Sequence, residues 1–289
     1  CGSGGLLLNC ALQLKKAGKE YRTLKLYGQE INLITSAIAR MNMFMHGIEE
    51  FDIIRDDTLA NPGFIEYDEL KKFNVILANP PYSIKRWDQK SFENDPYGRN
   101  IWGRPPKGCA DYAFQQHIIK SLNAENGRSI VLWPHGVLFR DKEAEMRRKM
   151  IENDLVECVI GLGANLFYNS PMEACLLISN TNKSENRKNK ILFINAVKEV
   201  KQEKSIANLE ENHIQKIFTA YQNYQNEAGF CKVVENEKVM EKGGSLNLPI
   251  YVSNVVETEK IGFEDALAEW ETSSAALENS MAELFGVLD

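Results

Sequence analysis

The sequence has no long apolar run of the kind that crosses a membrane. A membrane-spanning helix needs about 18 consecutive apolar residues, and every apolar run in this chain is much shorter. The start also differs from a secretory signal, because Lys15, Lys16 and Lys19 soon follow the short stretch Leu6-Leu7-Leu8. We therefore expect a cytoplasmic protein that makes no membrane contact.

Paired cysteines are absent as well. The six cysteines are Cys1, Cys10, Cys109, Cys158, Cys175 and Cys231. None of them has the short spacing to a second cysteine that zinc sites and disulfide frameworks use. We expect reduced thiols that mostly serve as packing residues, and we expect no bound metal.

Positive charge is scarce, since the formal net charge is −6. Nonspecific affinity for nucleic acid comes from lysines and arginines that neutralise phosphates. A chain of this charge is not built to grip nucleic acid alone, so another subunit would have to hold a DNA substrate. Residues 84–107 are a local exception and contain Lys85, Arg86, Arg99, Arg104 and Lys107. This stretch fits either a basic loop that faces phosphates or an ordinary solvated loop.

What is present fits a large α/β domain. The 289 residues are 44% hydrophobic, which is enough to bury a sizeable core. Through about residue 200, helical patterns alternate with short apolar runs such as 128–133, and this alternation predicts a mostly parallel sheet covered by helices. Residues 60–72 are predicted to be a connecting loop. The late apolar runs at 155–161, 173–179 and 191–195 follow one another without an intervening helix and predict an antiparallel edge.

We divide the chain into a main domain at 1–200, its C-terminal extension at 201–254 and a helical tail at 255–289. The tail repeats apolar residues among acids and predicts an amphipathic helix, which would dock either on another chain or on its own domain. An earlier helix is predicted over residues 31–46. Its apolar residues Ile34, Ile38, Met41 and Met45 have helical spacing and are predicted to pack in the core.

The segment Asn79-Pro80-Pro81-Tyr82 follows the apolar run 73–78. Two prolines fix two φ angles near −65° and remove two backbone donors, so the chain leaves the strand stiff and extended. A planar amino group could then donate to the Asn79 side-chain oxygen and the Pro80 carbonyl, while Tyr82 offers a ring for stacking. Such a pocket suits a flipped-out base. The same residues also suit a simple turn after a buried strand.

Two further features could bind a nucleoside. The glycines of Gly2-Ser3-Gly4-Gly5 permit positive φ before a helix whose N-terminus attracts polar groups, although a flexible terminus has the same composition. Glu30 follows the strand-like residues 23–28, where a carboxylate can accept both ribose hydroxyls. Glu30 also suits the first turn of the next helix.

Asp57 and Thr58 follow the short predicted strand 51–54. An acid at this strand end could accept an adenine amino group, or it could simply close an Asx turn. His117 and His135 offer acid–base chemistry, but neither lies in a nucleophile pattern. We expect structural roles for both histidines.

Seven motifs stand in one order along residues 1–252. They are Gly2-Ser3-Gly4-Gly5, Gly28-Gln29-Glu30, Met41-Asn42, Asp57-Thr58-Leu59, Asn79-Pro80-Pro81-Tyr82, Ala110-Asp111-Tyr112-Ala113-Phe114 and Pro134-His135-Gly136-Val137-Leu138-Phe139-Arg140. Together they resemble the modification subunit of type I restriction-modification systems, which is an adenine-N6 DNA methyltransferase.

This resemblance implies a Rossmann-like methyltransferase fold that uses S-adenosylmethionine, with residues 1–200 as the catalytic domain. It implies that Gly2, Ser3, Gly4 and Gly5 form the cofactor loop. Glu30 would bind the cofactor ribose, and Asp57 with Thr58 its adenine. The target adenine in DNA would be held by Asn79, Pro80, Pro81 and Tyr82. The implied partners are a specificity subunit and, for cleavage, a restriction subunit that combines motor and nuclease.

The sequence departs from the family pattern at its start. In the family, an Asp-Pro pair at the end of the first strand precedes the glycine loop, and this sequence begins after that point. We therefore expect the first strand to be missing and this chain alone to bind S-adenosylmethionine poorly, which calorimetry would test.

Three other functions stay open at the level of sequence. A protein or small-molecule methyltransferase could hold a planar amide with a similar segment. An enzyme that fuses restriction with modification would carry an attached nuclease. A scaffold subunit would have no activity, although intact Glu30 and Asn79 argue against it.

Overall fold

The computed structural model describes residues 1–167, 171–203, 206–252 and 263–288. The chain forms two compact units, Cys1–Ser253 and Asn254–Asp289. The predicted division at residues 200 and 254 stays a prediction. Within the described ranges, no helix combines the length and the apolar character needed to cross a bilayer.

The first unit alternates helices and strands, and the order of its elements follows the chain. The first half contains α1 (Gly5–Lys16), β1 (Leu26–Gln29), α2 (Leu33–Met45), β2 (Phe51–Ile54), β3 (Ile65–Glu66), β4 (Glu69–Leu70), β5 (Val75–Ala78), α3 (Gln89–Glu93) and α4 (Asp111–Ser121). The second half contains β6 (Arg128–Pro134), α5 (Ala144–Glu152), β7 (Val156–Leu162), β8 (Ala174–Asn180), β9 (Lys190–Ala196), β10 (Lys201–Glu203), β11 (Ile206–Asn208), α6 (Glu211–Asn223), β12 (Cys231–Glu235) and α7 (Asn236–Glu241). The second unit contains α8 (Phe263–Leu288).

Six strands form the main sheet in the order β12-β9-β7-β8-β6-β5. Strands β5 and β6 are parallel, and so are β7 and β9. The predicted antiparallel edge is confirmed, because β12 runs antiparallel to β9. Strand β8 is also antiparallel, and it lies inside the sheet between β6 and β7. Only residues 163–173 separate β7 from β8, and parallel neighbours would need a crossover of about a dozen or more residues.

Apolar clusters cover both faces of the main sheet. One face packs around Trp133, Met150 and Phe193. The other packs around Leu192 and Ile194, with Tyr224 next to α6. Strand β7 is buried along its whole length, as expected for a central strand covered on both sides.

Strands β1 and β2 form a separate parallel pair in which Gln29 lies opposite Ile54. Helix α1 packs against both β1 and β5. Tyr27 of β1 also places its ring 5.3 Å from the rings of Phe64 and Phe73. The carboxyl ends of β1, β2 and β5 are the three positions at which the sequence predicts site residues.

Two sequence-based predictions about this region are wrong. Residues 60–72, expected to be a loop, contain the antiparallel hairpin of β3 and β4. On α2, Ile34 and Met45 are 71% and 74% exposed, and Ile38 and Met41 are exposed too. The face that α2 buries carries Ser36, Ala39 and Met43. The small Ala39 lets α2 approach the glycine turn closely: a Cβ on Gly4 would lie 3.4 Å from the Ala39 Cβ.

Candidate active site

The glycine segment forms a tight turn before α1. Gly2 and Gly4 have φ angles of +59° and +79°, which favour glycine. A Cβ on Gly4 would also lie only 3.0 Å from the Met43 Cε atom. Gly4 is the N-cap of α1 and supplies no side-chain cap, so the first N–H groups of the helix can receive a polar ligand.

Glu30 lies against this turn. The Gly2 N–H donates to Glu30 Oε2 at 2.9 Å, and the Asn32 N–H donates to Oε1 at 3.0 Å. Burial disfavours the charged form of Glu30, but the backbone donors outweigh it and lower the pKa of this carboxyl. The ionised group keeps further lone pairs that can accept ribose hydroxyls. The structure therefore brings the glycine turn and Glu30 together, as predicted.

Three residues that the sequence motifs contain, but to which no role was assigned, hold this arrangement. The Asn42 side chain donates to the Ser3 carbonyl at 2.9 Å. Gly28 leaves room for the turn, because a Cβ there would lie 2.8 Å from Cys1 Sγ. Gln29 donates to the Asn61 carbonyl at 2.8 Å and ties β1 to the loop after β2. A polar residue within a helix and a glycine within a strand are signals that could have indicated Asn42 and Gly28.

Asp57 forms the Asx turn that was one of its two interpretations. Its Oδ1 atom accepts from the Leu59 and Ala60 N–H groups at 2.9 and 3.2 Å. The other carboxylate oxygen, Oδ2, makes no hydrogen bond to the part of the chain that the structure describes, and a cofactor adenine could donate to it. Thr58 lies in the same turn, where its carbonyl accepts from Arg99 at 2.8 Å.

The segment Asn79-Pro80-Pro81-Tyr82 leaves the carboxyl end of β5. Asn79 and Pro81 are exposed, Pro80 is buried and Tyr82 is half-buried. The Tyr82 hydroxyl donates to Asn79 Oδ1 at 3.0 Å, so one lone pair of that oxygen stays open for a second donor. Burial raises the pKa of Tyr82 and keeps its hydroxyl protonated as a donor.

A charged cluster lies next to this segment, and none of its members was assigned a role from the sequence. Asp111, the first residue of α4, is fully buried and accepts from the Ser83 N–H at 2.7 Å. Arg140 forms ion pairs with Asp111 and with Glu143, the latter at 2.7 Å. Asp111 and Arg140 belong to motifs of the family resemblance, but only the fold shows that they meet.

The loop at 84–107 does not present all of its cations to solvent. Arg99 is 2% exposed and pairs with Asp95 at 2.6 Å, so it neither faces phosphates nor lies in solvent, the two interpretations that the sequence left open for this loop. Arg99 also donates to the carbonyls of Thr58 and Leu59 at 2.8 and 2.9 Å. Arg99 thereby joins the loop that follows residues 79–82 to the turn formed by Asp57. Lys85, Arg86 and Lys107 are exposed.

The two histidines differ in their surroundings. His135 places Nε2 2.9 Å from the Ala174 carbonyl, which satisfies that ring nitrogen. His117 lies on α4, and its buried Nδ1 atom has no hydrogen-bond partner in the described part of the chain. Burial, followed by the charge of Arg99, lowers the pKa of His117 to about 3, so its ring is neutral.

The sequence and the fold both match known proteins. The profile of the family described as N-6 DNA Methylase matches residues 1–260. The methylase subunit of the type I restriction enzyme MjaVIII from Methanocaldococcus jannaschii is 36% identical, over 93% of this chain and 47% of the relative. The methylase subunit of the type I restriction enzyme MpnII from Mycoplasma pneumoniae is 35% identical, over 90% of this chain and 49% of the relative.

A solved type I restriction-modification methyltransferase subunit from Streptococcus thermophilus superposes with a TM-score of 0.79. It is 33% identical to this chain and matches 87% of this chain and 53% of its own length. The M protein of the type I restriction enzyme EcoKI is only 17% identical, with a TM-score of 0.66, and shows likeness of fold alone. The chain spans about half the length of the curated relatives it matches. The predicted α/β methyltransferase fold is confirmed, and this chain belongs to the N-6 DNA methylase family.

Proposed function

We propose that this chain transfers the methyl group of S-adenosylmethionine to the N6 amino group of adenine in DNA. The observation that carries the proposal is the exposed amide oxygen of Asn79 at the carboxyl end of β5. It has one lone pair open and lies beside the Tyr82 ring. Family membership supports the same reaction.

The residues near the glycine turn fit the proposed cofactor. The ionised Glu30 would accept the ribose hydroxyls, and Asp57 Oδ2 would accept the adenine amino group. The uncapped N-terminus of α1 would face polar groups of the amino-acid portion. When bound, S-adenosylmethionine supplies an electrophilic methyl group on a sulfonium.

The base-holding residues would make the target nitrogen more nucleophilic. The lone pair of an adenine amino group is delocalised into the ring. Hydrogen bonds to the Asn79 oxygen and the Pro80 carbonyl favour a more tetrahedral nitrogen whose lone pair can attack. Positioning and preorganised acceptors of this kind are worth roughly several kcal/mol. The Tyr82 ring would offset part of the few kcal/mol lost when the base leaves the stack.

We further propose that the protein acts in the cytoplasm with a specificity subunit and, for cleavage, a restriction subunit. The formal net charge of −6 supports a separate subunit that grips the DNA. The curated relatives are named as methylase subunits of type I restriction enzymes, which fits an assembly of this kind.

The test is Asn79→Ala in the full-length protein, assembled with these partners. Transfer of a tritiated methyl group to duplex DNA should fall below detection, while calorimetry should show unchanged binding of S-adenosylmethionine. Asn223→Ala, at the exposed end of α6, serves as the matched control. Near-normal turnover of Asn79→Ala, or labelling of protein substrates in place of DNA by the unmodified enzyme, would refute the proposal.

A further inference from the structure

Five side chains meet behind the base-holding segment, and we call them the Asp111 cluster: Ser83, Cys109, Asp111, Arg140 and Glu143. Asp111 Oδ1 accepts from the Ser83 N–H at 2.7 Å, and its Oδ2 accepts from Arg140 and from the Ser83 hydroxyl. Arg140 also donates to Glu143 Oε2 at 2.7 Å. Asp111 and Glu143 are buried, so this network is shielded from water.

The cluster contains the thiol and carboxylates that can bind a metal ion, but it also contains the positive charge of Arg140, which disfavours a second cation. Ligand atoms of Cys109, Asp111 and Glu143 lie within 4.8 Å of one another. The guanidinium of Arg140 already pairs with both carboxylates, and a metal cation would have to displace it. Burial, together with the nearby Glu143, raises the pKa of the Cys109 thiol to about 12. The protonated thiol donates to Asp111 Oδ2 at 3.3 Å and to Glu143 Oε1 at 3.2 Å.

The backbone at Ser83 shows what the cluster holds in place. Ser83 directly follows Tyr82 and has a φ angle of +48°, in the left-handed region that non-glycine residues seldom adopt. Such a conformation persists only where the surroundings impose it. Asp111 provides this restraint, because its carboxylate binds both the N–H and the hydroxyl of Ser83.

We propose that Asp111 is a positioning residue for adenine methylation: through Ser83 it fixes the direction in which residues 79–82 leave β5. Arg140 holds the second oxygen of Asp111, so its carboxylate cannot rotate away from Ser83. This role rests on the proposed function, and it lies beyond the groups that touch the base. Within the described residues, Asp111 makes no hydrogen bond or ion pair with Asn79 or Pro80, so its effect on them passes through the backbone.

The first test compares Asp111→Ala and Asp111→Asn in the assembled full-length protein. Alanine removes the acceptor for Ser83, and misplacement of the base-holding segment by about 1 Å should lower kcat about 100-fold. Asparagine keeps a carbonyl oxygen for the Ser83 N–H but turns its amide N–H groups toward Arg140, so it should restore only part of the lost turnover. Binding of one S-adenosylmethionine with unchanged affinity shows that both variants are folded.

Asp88→Asn is the matched control. Asp88 likewise accepts from the N–H and hydroxyl of a serine, Ser91, at 3.1 and 2.6 Å, but it lies on the exposed surface of the same loop. Its turnover should stay within about twofold of the unmodified protein, since its carboxylate touches no residue of 79–82. A second readout is the fluorescence of 2-aminopurine at the target adenine, measured with a variant whose unchanged binding of S-adenosylmethionine shows that it is folded. Asp111→Ala should change this signal at saturating DNA and cofactor.

Hydrogen exchange at the Ser83 amide separates this inference from the proposed function. The amide should be protected in the unmodified protein and exchange much faster in Asp111→Ala. Equal exchange in the two proteins, or a kcat of Asp111→Ala within about threefold of normal, would overturn the positioning role. If the unmodified protein does not methylate DNA, the proposed function fails, and the role of Asp111 in that reaction fails with it. Ser83 exchange then still decides whether the contact exists.

Discussion

Arg99 offers the sharpest test of how the loop at 84–107 is held. Its guanidinium is buried against Asp95, whose side chain is 1% exposed. It also donates to the carbonyls of Thr58 and Leu59 at 2.8 and 2.9 Å. Arg99→Met keeps much of the side-chain volume and removes the charge and all of these donors. The Asp95 carboxylate would then be buried without its partner.

The expected loss of stability is large. Removing one partner of a buried ion pair lowers the free energy of unfolding by about 3–5 kcal/mol, because an uncompensated charge stays behind. Adding Asp95→Asn to Arg99→Met removes that charge and should recover about 2 kcal/mol, which a double-mutant cycle would report as coupling. The carbonyls of Thr58 and Leu59 stay unpaired in both variants, so recovery should be incomplete.

Arg104→Met is the matched control in the same loop. Arg104 pairs with Glu93 at 2.8 Å, but the two side chains are 48% and 50% exposed, so their pair should contribute no more than about 1 kcal/mol. Urea unfolding followed by tryptophan fluorescence gives all of these free energies. The reasoning is refuted if Arg99→Met destabilises the protein no more than Arg104→Met does.

Three further perturbations test individual contacts. Gly4→Ala should lower the free energy of unfolding by about 1–2 kcal/mol, because the φ angle of Gly4 is +79°. Gly5→Ala should not lower it, because a Cβ on Gly5 would meet no atom within 4 Å. Equal effects of the two substitutions in thermal melts would contradict this. Tyr82→Phe keeps the ring but removes the hydroxyl that orients the Asn79 amide, so kcat should fall about fivefold because a hydrogen bond of about 1 kcal/mol is lost; an unchanged kcat would contradict this. The pKa of His117 is about 3 in the folded protein and about 6.5 in the unfolded chain. Between these pH values the unfolded chain binds more protons, so the free energy of unfolding should fall as the pH drops, by up to about 1.4 kcal/mol per pH unit. Urea titrations at several pH values should show a smaller pH dependence for His117→Gln, and an unchanged slope would count against this assignment.

Local patterns in the sequence were enough to predict most of the helices and strands. The strand predicted at 51–54 is β2, and the run predicted at 128–133 is β6, which extends to Pro134. Periodicity and proline or glycine boundaries act within a few residues, so a single segment carries them. The hairpin of β3 and β4 was missed because its strands are only two residues long and show no period.

The site residues also divide into those that a local pattern indicates and those whose partners only the fold reveals. Glycines before a helix and the acid Glu30 after a strand point to a nucleoside site without any knowledge of the fold. The partners of these residues could not be predicted, since Glu30 meets Gly2 across 28 positions of sequence. Likewise, the loop composition allowed Arg99 either to face phosphates or to lie in solvent, and only its burial against Asp95 shows that it does neither.

The sequence by itself determined the family, the order of most elements and the chemical groups that can hold a base and a cofactor. Only the tertiary structure decided which side chains meet. Ser83 and Asp111 are 28 positions apart, and Arg99 and Thr58 are 41 apart, so no local pattern records their contacts. It also decided that α2 buries Ala39 and leaves Ile34 exposed. The physical reason is that burial of a helix face depends on what packs against it, and here the glycine turn packs against Ala39 and Met43.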